Sequence, residues 1–183
     1  MYPIIRFLTT CIKAYLADKI TIDDISATSF RIRPWDIDMF LELNNGRVIT
    51  LYDLGRFDFS IRMGLAKALR QNKWGLVVAG STVRYRRRIR MFDKVTIYTQ
   101  VAGYEERWIY IMQSMWVKGE PASSILLRTG ITNKGKVVPT RDVINTLGIE
   151  EWNPVLHPWV KDWIHSEDSR LWPPPKDRLT VAE

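Results

Sequence analysis

A chain of 183 residues, 46% hydrophobic and 26% charged, is long enough for one domain with a substantial core and has an ordinary globular composition. The single cysteine, Cys11, excludes an internal disulfide and a cysteine-based metal cage, and with only His157 and His165 as imidazoles no metal site is expected. Twenty-seven basic against 20 acidic residues leave a formal charge of +7, which points to an anionic partner such as nucleic acid, a membrane surface or a phosphate-bearing molecule.

Residues 1–20 place Ile4, Ile5, Leu8, Ile12, Tyr15 and Leu16 at helical spacing, interrupted by Arg6 and Lys13. This is too polar for a transmembrane span and lacks the form of a secretory leader, so no integral membrane segment and a cytoplasmic location are expected. The helix is expected to dock on the domain or on a second subunit, with a membrane-surface helix as the alternative. A domain is expected over residues 21–138, opening with a half-buried strand over Thr28 to Arg33 that Pro34 ends. From Asn44 to Leu65 the apolar positions recur at three and four residues on most sides, so this helix is expected to be enclosed. Gly55 in its middle suits close approach of another backbone.

From Trp74 the period changes to two. Leu76 to Ala79, Thr82 to Met91, Lys94 to Val101, Arg107 to Val117 and Ser124 to Thr132 read as strands of an antiparallel meander. Hairpin-length turns are expected at Phe92-Asp93, Gly103 to Glu106, Lys118 to Pro121 and Asn133 to Lys136. Residues 139–183 form a C-terminal extension, with a helix over Arg141 to Leu147 capped by Thr140 and stopped by Gly148. A second helix is expected around Val160 to Glu167, then a loose or docked tail after Pro173-Pro174-Pro175. One strand, a long apolar helix and then antiparallel strands pack well only if the sheet curls around the helix. That is an α+β hotdog fold, whose open sheet edge predicts a homodimer or homotetramer.

The densest cluster of polar groups with chemical potential is Asp36-Ile37-Asp38 followed by Glu42-Leu43-Asn44-Asn45 at the helix entry. The free N–H groups and dipole of a first helical turn favour an oxyanion, and the carboxylates could serve as acid, base or nucleophile. An N-cap at Asn44 or Asn45 and turn-forming aspartates after Pro34 explain the same residues without catalysis.

With Asp36 through Val48 in view, the chain resembles the hotdog acyl-CoA thioesterases of the 4-hydroxybenzoyl-CoA thioesterase class, and within it a thioesterase-like branch. The family motif D-x-D-x-x-x-H-x-N-N-x-x-Y is matched in register by Asp36, Asp38, Asn44 and Asn45, while Glu42 stands for the histidine and Val48 for the tyrosine. Tyr85 and Asp93 resemble a later tyrosine and aspartate, so the resemblance covers about residues 26–135. It implies hydrolysis of a fatty or aromatic acyl-CoA, with coenzyme A as part of the substrate and no other cofactor. The alternative is a non-catalytic hotdog protein that binds acyl-CoA or acyl-carrier protein. By resemblance Asp36 is the attacking or water-activating carboxylate, and the N–H groups after Asn44 are the oxyanion donors, with Asn45 and Tyr52 placed in the substrate site. Glu42 either carries a proton beside Asp36 or pairs with an arginine such as Arg47, and Asp38 is expected to accept backbone N–H bonds in the loop.

Strand alternation from Val83 to Arg90 sends Arg84, Arg86, Arg88 and Arg90 to one face, opposite Tyr85, Arg87 and Ile89. Such a face meets either the phosphates of coenzyme A or the acids of a neighbouring strand. Nucleic acid is a third reading of the same arginines, but Trp108, Tyr110, Met112 and Trp116 share one strand parity, which describes a core or subunit-facing surface more economically. Nucleic acid is therefore not expected as a partner.

Overall fold

The computed structural model describes residues 2–174 and 176. The expected end of the tail at Pro175 and beyond Lys176 lies outside the described residues.

Helix α1 (Ile4–Leu16) leads into strand β1 (Ser26–Arg31), a single 3₁₀ turn (Pro34–Asp36) and helix α2 (Asn45–Arg62). A short helix α3 (Leu65–Asn72) follows, then β2 (Gly75–Tyr85), β3 (Lys94–Tyr104), β4 (Ile109–Val117), β5 (Glu120–Asn133) and β6 (Lys136–Val137). Helices α4 (Thr140–Leu147) and α5 (Pro158–Asp168) complete it. The sheet is antiparallel in the order β1-β3-β4-β5-β2, with β6 beside β5.

Helix α2 starts where the Asn44 side chain accepts the Arg47 N–H at 3.1 Å. It stops before Gly64, whose φ of +91° an L side chain resists, so the expected single helix to Leu65 becomes two. Its inner face carries Val48, Leu51, Tyr52 and Leu54 against Ile97, Ile111, Met115, Ile125 and Leu127 of the sheet. Each such side chain contributes about 1.5–3 kcal/mol on burial. Gly55 sits where a Cβ would be 2.6 Å from Thr99 Oγ1 and 2.8 Å from Ile97 Cγ2, so its lack of a side chain sets how closely helix and sheet approach. Beside it Gln113 donates to the Tyr52 carbonyl (3.0 Å) and to Thr99 Oγ1 (2.8 Å) and accepts from Arg56 (2.9 Å). Helix α1 covers the other side of α2, with Phe7 edge-on to Phe57 at 4.6 Å between ring centroids. The long helix is therefore enclosed between sheet and α1.

Strand β4 divides its residues between two layers. Ile111 and Met115 face α2, whereas Tyr110 and Met112, with Trp108 just before the strand, pack with Leu156, Val160, Ile164 and Trp163 of the C-terminal segment. The hairpins β4–β5 and β5–β6 turn through Lys118-Gly119 and Lys134-Gly135, all four at positive φ, the geometry that two-residue hairpins require.

The strand after α3 departs from expectation in two ways. Leu76 to Ala79 and Thr82 to Met91 are one strand, β2, that ends at Tyr85. It pairs with β5 and does not form a hairpin with β3. The Arg86 and Arg87 N–H groups both donate to the Ala122 carbonyl (2.9 and 3.1 Å), which turns the chain out of the sheet. Phe92 and Asp93 instead extend the β1–β3 pairing through Ile32 (3.0 Å each). Arg84, Arg86, Arg88 and Arg90 therefore do not share a strand face, because alternation ceases at Tyr85. Thr140 is the first residue of α4, after Pro139, and does not cap it; Gly148 at φ +69° stops that helix as expected.

Candidate active site

The segment from Asp36 to Asn44 is a loop pinned at both ends. Asp36 closes the 3₁₀ turn and is 1% exposed. Its Oδ2 accepts from Arg6 Nη2 (2.7 Å) and the Arg33 N–H (2.9 Å), and its Oδ1 from Arg47 Nε (2.8 Å). Burial alone would push this carboxyl up; the two guanidinium groups and the N–H outweigh it and hold the group below the usual carboxylate range. Asp38 Oδ1 accepts the Phe40 N–H (2.8 Å), and the Asp38 N–H donates to the Glu42 carbonyl (2.9 Å) around Leu41, which has φ +60°. The Leu43 N–H donates to the Ile89 carbonyl (2.8 Å) and the Asn44 N–H to the Asp36 carbonyl (3.0 Å).

A cavity of about 240 Å³ opens where this loop meets the N-terminus of α2 and the turn after β2. Glu42, Asn45, Tyr85, Arg86, Arg87, Arg88 and Ser123 line it with apolar Leu43, Val48 and Ile89. Glu42 is partly exposed, and its Oε2 lies 3.5 Å from Arg88 Nε. Arg87 is held by Glu120 at 3.0 Å. The Tyr85 hydroxyl donates to the Asn45 carbonyl at 3.3 Å, and Tyr52 lies buried beneath with its hydroxyl 2.8 Å from Ser123 Oγ. Burial pushes the Tyr52 phenol well above its ordinary pKa, so it remains a neutral hydroxyl. A larger groove of about 700 Å³ lies between residues 20–23 and 147–154, but Asp23, Glu150 and Glu151 line it and repel a phosphate-bearing ligand. Arg86, Arg87 and Arg88 are at the smaller cavity.

The family model of the thioesterase-like superfamily matches residues 32–147, more than half of the chain. The chain belongs to the thioesterase-like superfamily. It is 30% identical over 97 residues to the protein THEM6 of Xenopus laevis, covering 52% of this chain and 47% of that protein. It is 35% identical over 79 residues to THEM6 of Drosophila melanogaster, covering 43% and 41%. The match thus spans about half the length of these curated relatives or less. Among solved structures, a probable thioesterase of Escherichia coli, YbaW, superposes with a TM-score of 0.61 at 17% identity over 66% of this chain and 97% of that one. The SAV2348 protein of Staphylococcus aureus, solved in complex with CoA, gives 0.62 at 12% identity over 76% and 92%. At these identities the likeness is one of fold, and the hotdog architecture is shared.

In this thioesterase-like chain the structure brings Glu42, Asn45, Tyr85, Arg86 and Arg88 to one cavity. Asp36 and Asp38 do not line it, Asn44 serves as the N-cap of α2, and Arg84 stays on the exposed end of β2. Arg47 pairs with Asp36, and Glu42 has Arg88 as its neighbour. Sequence reading missed Arg6, Arg87 and Ser123 as residues of this region. Arg6 had a signal: a guanidinium on the inner side of a helix docked by apolar contacts requires a buried acid. Ser123 had none, since a small polar residue in a strand is compatible with either face.

Proposed function

We propose that this chain hydrolyses acyl-CoA thioesters at the cavity formed by Glu42, the N-terminus of α2 and the arginine turn. The observation that carries the reading is their convergence: a carboxylate, a helix N-terminus and three arginines border one space. In the proposed step, Glu42 takes a proton from water as the water oxygen bonds to the thioester carbon. The oxyanion forms against the leading N–H groups of α2, the C–S bond breaks, and the thiolate leaves with the proton that Glu42 carried. Arg86 and Arg88 fit the phosphates of coenzyme A at the mouth.

Asp36 is given a positioning role in this scheme, because its ion pairs hold α1, the loop and Arg47 in the first turn of α2. Direct attack by Asp36, as the family resemblance implies, would first require Arg6 and Arg47 to withdraw. Asn44 supports the oxyanion site as a cap and Asp38 fixes the turn that presents Glu42. No metal enters the scheme.

We further propose a homodimer, which could pair again into a tetramer. Strand β2 is an 11-residue edge without a charge from Gly75 to Val83, and Leu76, Val77 and Val78 are exposed on it. A second β2 would remove this aggregation-prone edge. The lone Cys11 fits a reducing compartment, and we place the protein in the cytoplasm. The test is free-thiol release from purified protein with a panel of aliphatic and aromatic acyl-CoA thioesters. Turnover supports the scheme; ligand binding with no thiol release would instead favour an acyl-CoA or acyl-carrier binding protein.

A further inference from the structure

Helix α1 has two apolar faces. Phe7, Thr10 and Ala14 point to α2, while Ile4, Ile5, Leu8, Ile12, Tyr15 and Leu16 remain exposed, Ile5 and Leu16 at 80% and 84%. At 100° per residue these six side chains fall within an arc of about 120°. Its polar edge carries Thr9 and Lys13, and the first acidic residue of the chain is Asp18. Beside the N-terminal half of the helix stands a second exposed apolar group, Trp35, Met39, Phe40 and Leu41, joined to α1 through the Arg6–Asp36 pair. The tight turn at Leu41 puts these side chains outward, Met39 at 85% exposure.

Cations surround this apolar surface. Arg31 and Arg33 precede the loop, and Arg88 and Arg90 adjoin it through the Glu42 ion pair and the Glu42–Arg90 bridge, all four exposed. Of the acids beside it, Asp36 is enclosed by arginines, Asp38 accepts a backbone N–H of its own loop, Asp93 accepts the Arg90 N–H and Glu42 faces Arg88 at 3.5 Å.

We propose that α1 and the 35–41 loop together dock the protein peripherally on an anionic lipid bilayer, with the apolar side chains in the interface and Lys13, Arg31, Arg33 and Arg90 on the headgroups. Charge decides between this occupant and a second copy of the same surface. Two such faces would set Lys13, Arg31, Arg33 and Arg90 against their own copies with only the partly buried Glu42 and Asp93 to offset them, whereas anionic headgroups neutralise the excess. An apolar arc bordered by cations is the form of an interfacial helix, and among the described residues no helix is long and apolar enough to cross a membrane. Docking in this orientation sets the mouth of the Glu42 cavity beside the lipid, where a long acyl chain partitions. The inference itself stands without the hydrolytic reading.

The test is flotation of the purified full chain with phosphatidylcholine vesicles, with and without phosphatidylglycerol, at low and high salt. Flotation with the anionic vesicles, falling at high salt, is expected. Ile5→Glu with Ile12→Glu should weaken it about tenfold or more, and Met39→Glu should weaken it independently. Circular dichroism of each variant should match the parent, since the substituted side chains are exposed. Absence of flotation with anionic vesicles, or binding unchanged in both variants, would overturn the proposal. A smaller assembly on size exclusion for the double variant, with no flotation of the parent, would assign the stripe to a second copy instead. Thiol release does not enter this readout, so its failure and that of the hydrolytic reading are separable.

Discussion

Replacing Asp36 with asparagine tests whether this residue is a structural keystone or a reagent. The side chain has no exposed area and satisfies Arg6, Arg47 and the Arg33 N–H at once, while the two arginine side chains are 15% and 13% exposed. Removing one partner from a buried ion pair costs about 3–5 kcal/mol. Both guanidinium groups retain some contact with water, which places Asp36→Asn near the lower end, about 3 kcal/mol. For a domain of this length that lowers Tm by about 6–12 °C, since 1 kcal/mol corresponds to about 2–4 °C. The assay is urea unfolding followed by tryptophan fluorescence, with a thermal scan beside it. The pH dependence sharpens it. The folded pKa of Asp36 is depressed, so its stabilisation is present above the unfolded carboxylate value of about 3.9 and is lost as pH falls through the folded value. The stability gap between parent and Asp36→Asn should therefore be largest near neutrality and close in acid. An unchanged Tm together with abolished turnover would refute the reasoning and return Asp36 to the role of nucleophile.

Gly55→Ala should destabilise by about 1–3 kcal/mol in urea unfolding, because its Cβ would meet Thr99, Gln113 and Ile97 at 2.6–2.8 Å. Gln113→Leu should cost about 2–3 kcal/mol by the same measurement, since Arg56, the Tyr52 carbonyl and Thr99 each lose a partner inside the core. Asp58 is buried, its Oδ2 3.6 Å from Arg62 Nη1 without a hydrogen bond, and burial raises its pKa against the pull of Arg62, Ser26 and Thr28. A raised carboxyl contributes stability below the unfolded value of about 3.9 that is lost as pH rises through the folded value. Asp58→Asn should thus raise Tm at neutral pH, with the gain vanishing near pH 4, as read by Tm against pH.

The hotdog arrangement was legible because its signals are local and periodic: the apolar spacing from Val48 to Ile61, the alternation after Trp74, and Lys-Gly turns at 118–119 and 134–135. Gly55 announced a close approach by standing mid-helix. The end of β2 was not legible. Val83 to Arg90 keeps perfect alternation, and only a distant acceptor, the Ala122 carbonyl, turns the chain out at Arg86. Strand order was hidden for the same reason, since pairing of β2 with β5 is set by packing around α2 and not by the Phe92-Asp93 turn. The site was half legible. Register identified the loop, but which carboxylate faces solvent depends on Arg6, thirty positions away, which reaches Asp36 only because α1 folds across α2.

In the proposed hydrolysis Glu42, not Asp36, is the carboxylate that meets the thioester. The direct measurement is kcat for free-thiol release by Glu42→Gln, on whichever acyl-CoA the parent turns over best, with Tm taken on the same preparation. Loss of general-base action should lower kcat about 10²–10⁴-fold while Tm stays within about 2 °C, since Glu42 is partly exposed and its Arg88 contact is weak. A Glu42→Gln enzyme that keeps the parent kcat would contradict the account.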